Sequence, residues 1–315
     1  MTIGVDLREE TRAFNEELRA RIATLPEIET VPVEQTRLAR LEEGGIFPPP
    51  VFLDEARWVD IPSRGGDLRA RVLEPDGEAV GVYVHIHGGG WTIGSADGQD
   101  IPLQMLARET QLVVASIEYR LAPEHPYPAG PDDCEDAVLW LMQGGAEELG
   151  APATLAIGGE SAGAHLSALT LLRLRDLHGA GGAVRAANLV YGAFDLSGTP
   201  SRRLIADTLI LTNSNMNWFT ENFLPGLDEV QRRDPAISPL YADLSGLPPA
   251  LFTIGTADPL LDDTLFMAAR WQAAGNEADL RVYADCIHAF NAFPIGIADA
   301  ANLAQVEFLR SAFAS

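Results

Sequence analysis

From about Trp58 onward, short apolar runs alternate with longer helix-like stretches, and that rhythm constrains the fold more than any other feature of the chain. Residues 68–73 alternate as a half-exposed strand, while 80–86 (VGVYVHI), 112–117 (LVVASI), 154–157, 187–191 and 251–254 read as short, mostly apolar strands. Residues 280–283 look like a last strand. Helical patterns fill the gaps at 102–110, 132–143, 162–177, 260–274 and 298–313. Buried strands separated by helices predict an α/β chain with a mainly parallel central sheet flanked by helices.

Two segments stand outside that rhythm. The first, to about Gly45, is polar and helix-like, with Phe14, Leu18, Ile22 and Leu25 on one face; Gly44-Gly45 and Pro48-Pro49-Pro50 end it. The second, 199–240, is rich in aromatic and amide residues (Asn213, Asn215, Met216, Asn217, Trp218, Phe219, Phe223) and reads as an insertion between two core strands. The expected organisation is a helical cap made of 1–50 and 199–240 over one end of a core formed by 51–198 and 241–315.

The charges narrow the function. The 315 residues carry a formal net charge of −23, and all 22 basic residues are arginine. A lysine Schiff base, a Walker phosphate loop and a Ser–Lys pair each need an ammonium group and are excluded. An acidic surface repels a phosphate backbone, so no nucleic-acid partner is expected. Cys134 and Cys286 are too few for a disulfide framework and form no zinc spacing, so no metal is expected. No run of 18 apolar residues exists, and Asp6, Glu9 and Glu10 stand where a signal peptide is basic; no membrane span and a cytoplasmic location are expected.

The strongest motif is Gly159-Glu160-Ser161-Ala162-Gly163, which follows an apolar strand and opens a helix. A G-x-S-x-G turn in that context is tight enough to need its glycines, and it lifts the Ser161 hydroxyl clear of the sheet at the positive end of a helix. The second motif is His87-Gly88-Gly89-Gly90-Trp91, straight after the strand 80–86. Consecutive glycines leave backbone N–H groups unobstructed. With the N–H of Ala162, those of Gly88, Gly89 and Gly90 can bind the negative oxygen that forms when an ester carbonyl is attacked.

Serine is a poor nucleophile without a base, and the base needs an orienting carboxylate. His87 is placed to brace the glycine loop, beside His85. His165 points along the helix, and His125 and His178 sit in a Pro-rich loop and at a helix end. His288 alone follows the last strand and precedes the terminal helix. For the acid, Asp258 stands directly beyond the strand 251–254, on the rim where open α/β sheets bind ligands. Asp262 and Asp263 read as first-turn helix charges, and Asp195 is a further rival. The order Ser161, Asp258, His288 is that of an α/β hydrolase.

With the stretch Tyr119-Arg-Leu-Ala-Pro-Glu-His-Pro-Tyr-Pro-Ala129 and Asp258-Pro-Leu260, these motifs resemble the bacterial hormone-sensitive-lipase-like (family IV) carboxylesterases, at least over 85–290. The resemblance implies an α/β-hydrolase fold with a helical cap, a short-chain acyl-ester hydrolase, no cofactor, and an oxyanion hole at Gly89, Gly90 and Ala162, with Gly88 adjacent. Two positions depart from it. Glu160 replaces a usual Asp, and Ala289 replaces a usual Gly, which should stiffen the loop after His288.

The expected activity is a serine carboxylesterase acting on a small-molecule acyl ester. Trp91, Met216, Trp218 and Phe219, with Phe223, are candidates for the substrate pocket, and core packing is the alternative for Met216, Trp218, Phe219 and Phe223. An amidase, formamidase or lactonase would use the same triad, and a ligand receptor of this fold would lack the histidine. The uncovered edge at 280–283 suits pairing into a homodimer.

Overall fold

The computed structural model describes residues 6–43, 45–205 and 208–314, so Gly44 and residues 206–207 of the insertion lie outside it. The chain opens with α1 (Leu7–Ile22), α2 (Val33–Ala39), β1 (Arg57–Ile61), β2 (Leu68–Leu73), β3 (Gly81–Ile86), α3 (Asp100–Thr110) and β4 (Leu112–Ile117). Next come α4 (Ala129–Trp140), α5 (Ala146–Glu148), β5 (Leu155–Glu160), α6 (Ala162–His178), β6 (Val184–Val190), α7 (Pro200–Leu204) and α8 (Asn213–Phe223). It ends with β7 (Ala250–Gly255), α9 (Leu261–Ala273), β8 (Ala278–Tyr283) and α10 (Gly296–Phe313).

The strands form one eight-stranded sheet in the order β1-β2-β4-β3-β5-β6-β7-β8. β2 is antiparallel to both neighbours, and all pairings from β4 to β8 are parallel. β3, β4 and β7 are buried at every position, as expected of β-branched strands covered on both faces. β1 is an addition to the sequence reading: RWVDI has two ionic residues, and its pairing with β2 defines it. α6 is buried along most of its length, which its Ala- and Leu-rich composition allows on all sides.

Because the strands from β4 to β8 are parallel, the loops leaving β3, β5, β7 and β8 gather at one end of the sheet, and the two outlying segments pack there. From α1, Arg8 and Arg12 each donate to Asp285 Oδ2 at 3.0 Å, and the Phe14 ring lies 4.9 Å from Phe293. From α2, Arg37 donates to the carbonyls of Thr92 and Ala122, both at 2.9 Å, and pairs with Glu124. The N-terminal segment thus touches the loop after β8 and the turn after the glycine loop. α8 starts with a reciprocal cap between Thr212 and Asn215, and Ser214 and Asn215 both bond Glu29 of the N-terminal segment. Among the described residues no helix is long and apolar enough to cross a membrane.

Candidate active site

Ser161 sits between β5 and α6 with φ 57° and ψ −116°, a conformation costly for a residue with a side chain. Close packing on the end of β3 holds it there: a Cβ on Gly159 or Gly163 would run into the Ile86 carbonyl, so only glycine fits at either position. The Ser161 N–H is anchored to the Val190 carbonyl at 2.9 Å.

His288 and Asp258 meet Ser161 from two other loops. Asp258 follows β7, is fully buried, and accepts the Leu260 N–H on Oδ1 at 2.8 Å and His288 Nδ1 on Oδ2 at 2.7 Å. A carboxylate can only accept, so Nδ1 carries the proton and Nε2 is left as an acceptor. The Ser161 hydroxyl, 3.0 Å from Nε2, donates to it. Ala289 takes φ 60°, a left-handed conformation that glycine adopts without steric cost, and this turns the chain sharply after the histidine. The structure therefore brings Ser161, His288 and Asp258 into one hydrogen-bonded line.

The glycine loop lies beside that line. Gly89 and Gly90 have φ of +116° and +57°. A Cβ on Gly89 would strike the Ile93 carbonyl, one on Gly90 the Phe219 ring, and one on Gly88 would stand 2.8 Å from the Glu160 carbonyl oxygen. Among the described residues, the backbone N–H groups of Gly89, Gly90 and Ala162 donate to no protein carbonyl. His87 braces the loop from behind: its Nδ1 bonds the Gly88 carbonyl at 2.8 Å, and its ring stacks 4.3 Å from Tyr119. Burial lowers its pKa to about 4, so it is neutral. Gly89→Ala should displace the loop and lower kcat about 10²- to 10³-fold, the loss expected for one oxyanion donor. Turnover per titrated active site, with an unchanged circular-dichroism spectrum, checks this; near-native turnover would contradict it.

His125 is exposed, and the other rival acids and bases are engaged elsewhere. His165 accepts from Trp91 Nε1 at 3.0 Å and donates to the Ile237 carbonyl at 2.7 Å. His178 bonds Glu135, and Asp195 accepts from Ser197 and Tyr241. Asp262 accepts the Ser201 N–H at 2.7 Å. Asp263 accepts the N–H groups of Phe194 and Asp195, each at 2.8 Å, and the Thr199 hydroxyl at 2.6 Å, pinning the chain where the insertion departs.

Burial pushes the Asp263 pKa up from 3.8 to about 7, against those hydrogen bonds. The stability this group contributes is fully present below pH 3.8 and lost as pH rises through about 7. Asp263→Asn keeps an oxygen for the two N–H groups and removes the ionisation. Between pH 4 and 8 the native chain should therefore lose stability relative to Asp263→Asn, on the order of a few kcal/mol. Denaturant unfolding of both chains across that range checks the sign, and parallel curves would refute it.

Four of the five candidate pocket residues are buried in the fold. Trp91 is 5% exposed, and its φ of +59° directs the indole inward, where the ring stacks 4.7 Å from Phe223 and the N–H bonds His165. Phe223 is accordingly core as well. Met216 and Phe219 are buried on α8, with Phe219 against Gly90, and Trp218 is half-buried beside Phe219.

Two features of the site lie beyond the sequence reading. The Tyr191 ring packs edge-on to His288 at 4.7 Å, with its hydroxyl donating to Asn291 at 2.6 Å. Its place at the end of β6, on the same rim, was the available signal. Beneath the nucleophile, Glu160 Oε2 accepts from His85 Nε2 at 3.1 Å and from Gln99 at 3.2 Å, while Ser116 bonds the other side of the His85 ring. Burial works against the Glu160 charge, but His85 and Gln99 outweigh it and hold the pKa below the usual range. Among the described residues no cluster of three or more His, Cys, Asp or Glu could hold a metal ion.

Comparison with known proteins bears on the fold and the family. A family model described as the alpha/beta hydrolase fold matches residues 83–292. The carboxylic ester hydrolase LipN of Mycobacterium tuberculosis is 38% identical over 263 residues, covering 81% of this chain and 70% of that protein. An esterase structure from Pyrobaculum calidifontis superposes with a TM-score of 0.83 at 32% identity, covering 94% of this chain and 97% of that one. A hormone-sensitive lipase structure from a metagenome library does so with 0.81 at 26% identity, covering 96% and 98%.

Proposed function

Since the chain belongs to the α/β-hydrolase family, among its hormone-sensitive-lipase-like carboxylic ester hydrolases, we propose that it cleaves short- to medium-chain acyl esters through an acyl-enzyme on Ser161. The observation that carries this reading is the line Asp258–His288–Ser161 beside the free N–H groups of Gly89, Gly90 and Ala162.

Ser161 attacks the ester carbonyl as His288 Nε2 takes its proton. Asp258 keeps the imidazole in the required tautomer and stabilises the imidazolium. The N–H groups of Gly89, Gly90 and Ala162 meet the negative oxygen of the tetrahedral intermediate, with Gly88 setting the close approach of the loop to the elbow. His288 then protonates the leaving alcohol, and water repeats the sequence on the acyl-enzyme. The Tyr191 ring packs beside His288 and limits its movement, and the Glu160–His85 pair fixes the elbow from below.

Residues 1–50 and 199–240 serve as the cap. Phe219, against Gly90, and half-buried Trp218 beside it line the acyl side, while Met216 and Trp91 belong to the core. β8 is the last strand of the sheet, and its outer edge leaves backbone groups unpaired, which suits a second copy of the chain. Sedimentation equilibrium checks that pairing, and a monomer at every concentration contradicts it. A reducing, cytoplasmic setting fits the buried thiols Cys134 and Cys286, and cell fractionation tests it.

The direct experiment is burst-phase hydrolysis of a chromogenic butyrate ester by the native chain and by Ser161→Ala. An initial burst equal to the enzyme concentration, absent from the variant, supports the acyl-enzyme. Turnover that survives the substitution contradicts it.

A further inference from the structure

We propose that the insertion carries a site for a small oxyanion, a phosphate or carboxylate group, in the cavity between α7, α8 and the turn at 229–232. The cavity holds about 330 Å³ and is lined by Arg202, Arg203 and Arg232, with Ser197, Asn217 and Glu229. That volume takes several atoms more than one water, whose share of the liquid is about 30 Å³. Three arginines and one glutamate line the cavity, a local reversal of sign in a chain of net charge −23.

The charges there are poorly matched by the protein. Arg202 donates to Asn217 Oδ1 at 2.6 Å, a neutral acceptor. Burial lowers its pKa, and the neighbouring charges of Arg232 and Arg203 add to that, against Asp263 and Asp195. Arg232 has a buried Nε with no hydrogen-bond partner, and its NH2 reaches Glu221 only at 3.4 Å. Arg203 and Glu229 pair at 3.6 Å, but both side chains are more than 60% exposed, so water screens them. Buried cations normally find a carboxylate or an equivalent acceptor. Planar guanidinium forks match the oxygens of phosphate and carboxylate groups in pairs, and a bound oxyanion supplies the negative charge that neutral Asn217 does not give Arg202 and that Arg232 meets only at 3.4 Å.

The anion can be a free ion or the charged end of a longer ester, although α8 stands between the two places, with Asn217 on the cavity side and Phe219 on the glycine-loop side. Isothermal titration of inorganic phosphate and of succinate into the full chain, against chloride at matched ionic strength, tests the site. A second arm compares KM for a 4-nitrophenyl hemisuccinate with that for the butyrate ester.

Saturable binding of phosphate or succinate, weakened tenfold or more by Arg202→Gln and by Arg232→Gln but not by Arg57→Gln, is the expected result for a free ion. A KM that rises tenfold in those two variants for the hemisuccinate alone assigns the site to the ester. Butyrate turnover and the circular-dichroism spectrum should not change. If one of the two variants fails to fold, the other and Arg202→Lys carry the test. The proposal is overturned by heats no larger than those of chloride together with unchanged KM ratios, or by binding that both glutamine variants retain in full.

Discussion

His288→Ala should lower kcat by about 10⁶-fold, the scale on which removing one member of a cooperating triad disables a serine hydrolase. Nε2 is the hydrogen-bond acceptor that faces the Ser161 hydroxyl, at 3.0 Å. The other histidines near the elbow cannot substitute for it: His165 is held between Trp91 and Ile237, and His85 between Ser116 and Glu160. Residual turnover would come from the glycine-loop donors and from binding alone. Because the two groups act as a unit, Ser161→Ala/His288→Ala should be no slower than either single variant. Single-turnover rates for the three variants check this, and a further loss in the double variant would contradict it.

Asp258→Asn should cost about 10⁴-fold in kcat while leaving the fold intact, and the local hydrogen bonds give the reason. The Leu260 N–H donates to Oδ1, which fixes the amide oxygen at that position in the variant. The amide NH2 then faces His288 Nδ1, whose N–H had donated to the carboxylate oxygen at 2.7 Å. A donor there obliges Nδ1 to become the acceptor and moves the ring proton to Nε2, which then presents N–H to a serine that needs an acceptor. The variant should keep its KM within a few-fold, since the buried carboxylate has no contact with substrate. A loss of less than tenfold would show that Asp258 does not set the tautomer.

Much of the site was legible in the sequence because its demands are local. An exposed nucleophile on a strand-to-helix turn needs glycines two residues either side of Ser161, and the Ile86 carbonyl explains why nothing larger fits. Asp258 and His288 were found from their places after strands, which parallel topology brings to one rim. The strand and helix cores were also legible, while their ends shifted: β5 continues to Glu160 and β6 begins at Val184 because ladder pairing, not hydrophobicity, sets those limits. The N-terminal stretch reads as one helical region, but its helices are separated by a short turn at Ile28–Thr30.

What the sequence left unresolved depends on contacts between distant residues. Trp91 follows the glycine loop and is large and amphipathic, so it reads as a pocket wall. Its left-handed backbone turns it towards His165 and Phe223, far along the chain. Tyr191 could not be matched to His288 without knowing that the loops after β6 and β8 converge. The pairing of Glu160 with His85 likewise needs the register of β5 on β3. Arg202 and Arg203 lie some thirty residues before Arg232, and only the packing of α7 and the turn at 229–232 places them around one cavity.

The central claim is that Ser161 becomes acylated with His288 as its base. Acid quenching of the native chain during steady-state hydrolysis of the butyrate ester, followed by mass spectrometry of its peptides, tests it most directly. One butyryl group per chain is expected, confined to the peptide holding Ser161, and absent from Ser161→Ala and His288→Ala. Full turnover with no modified peptide, or acylation at another residue with Ser161 unmodified, would contradict it.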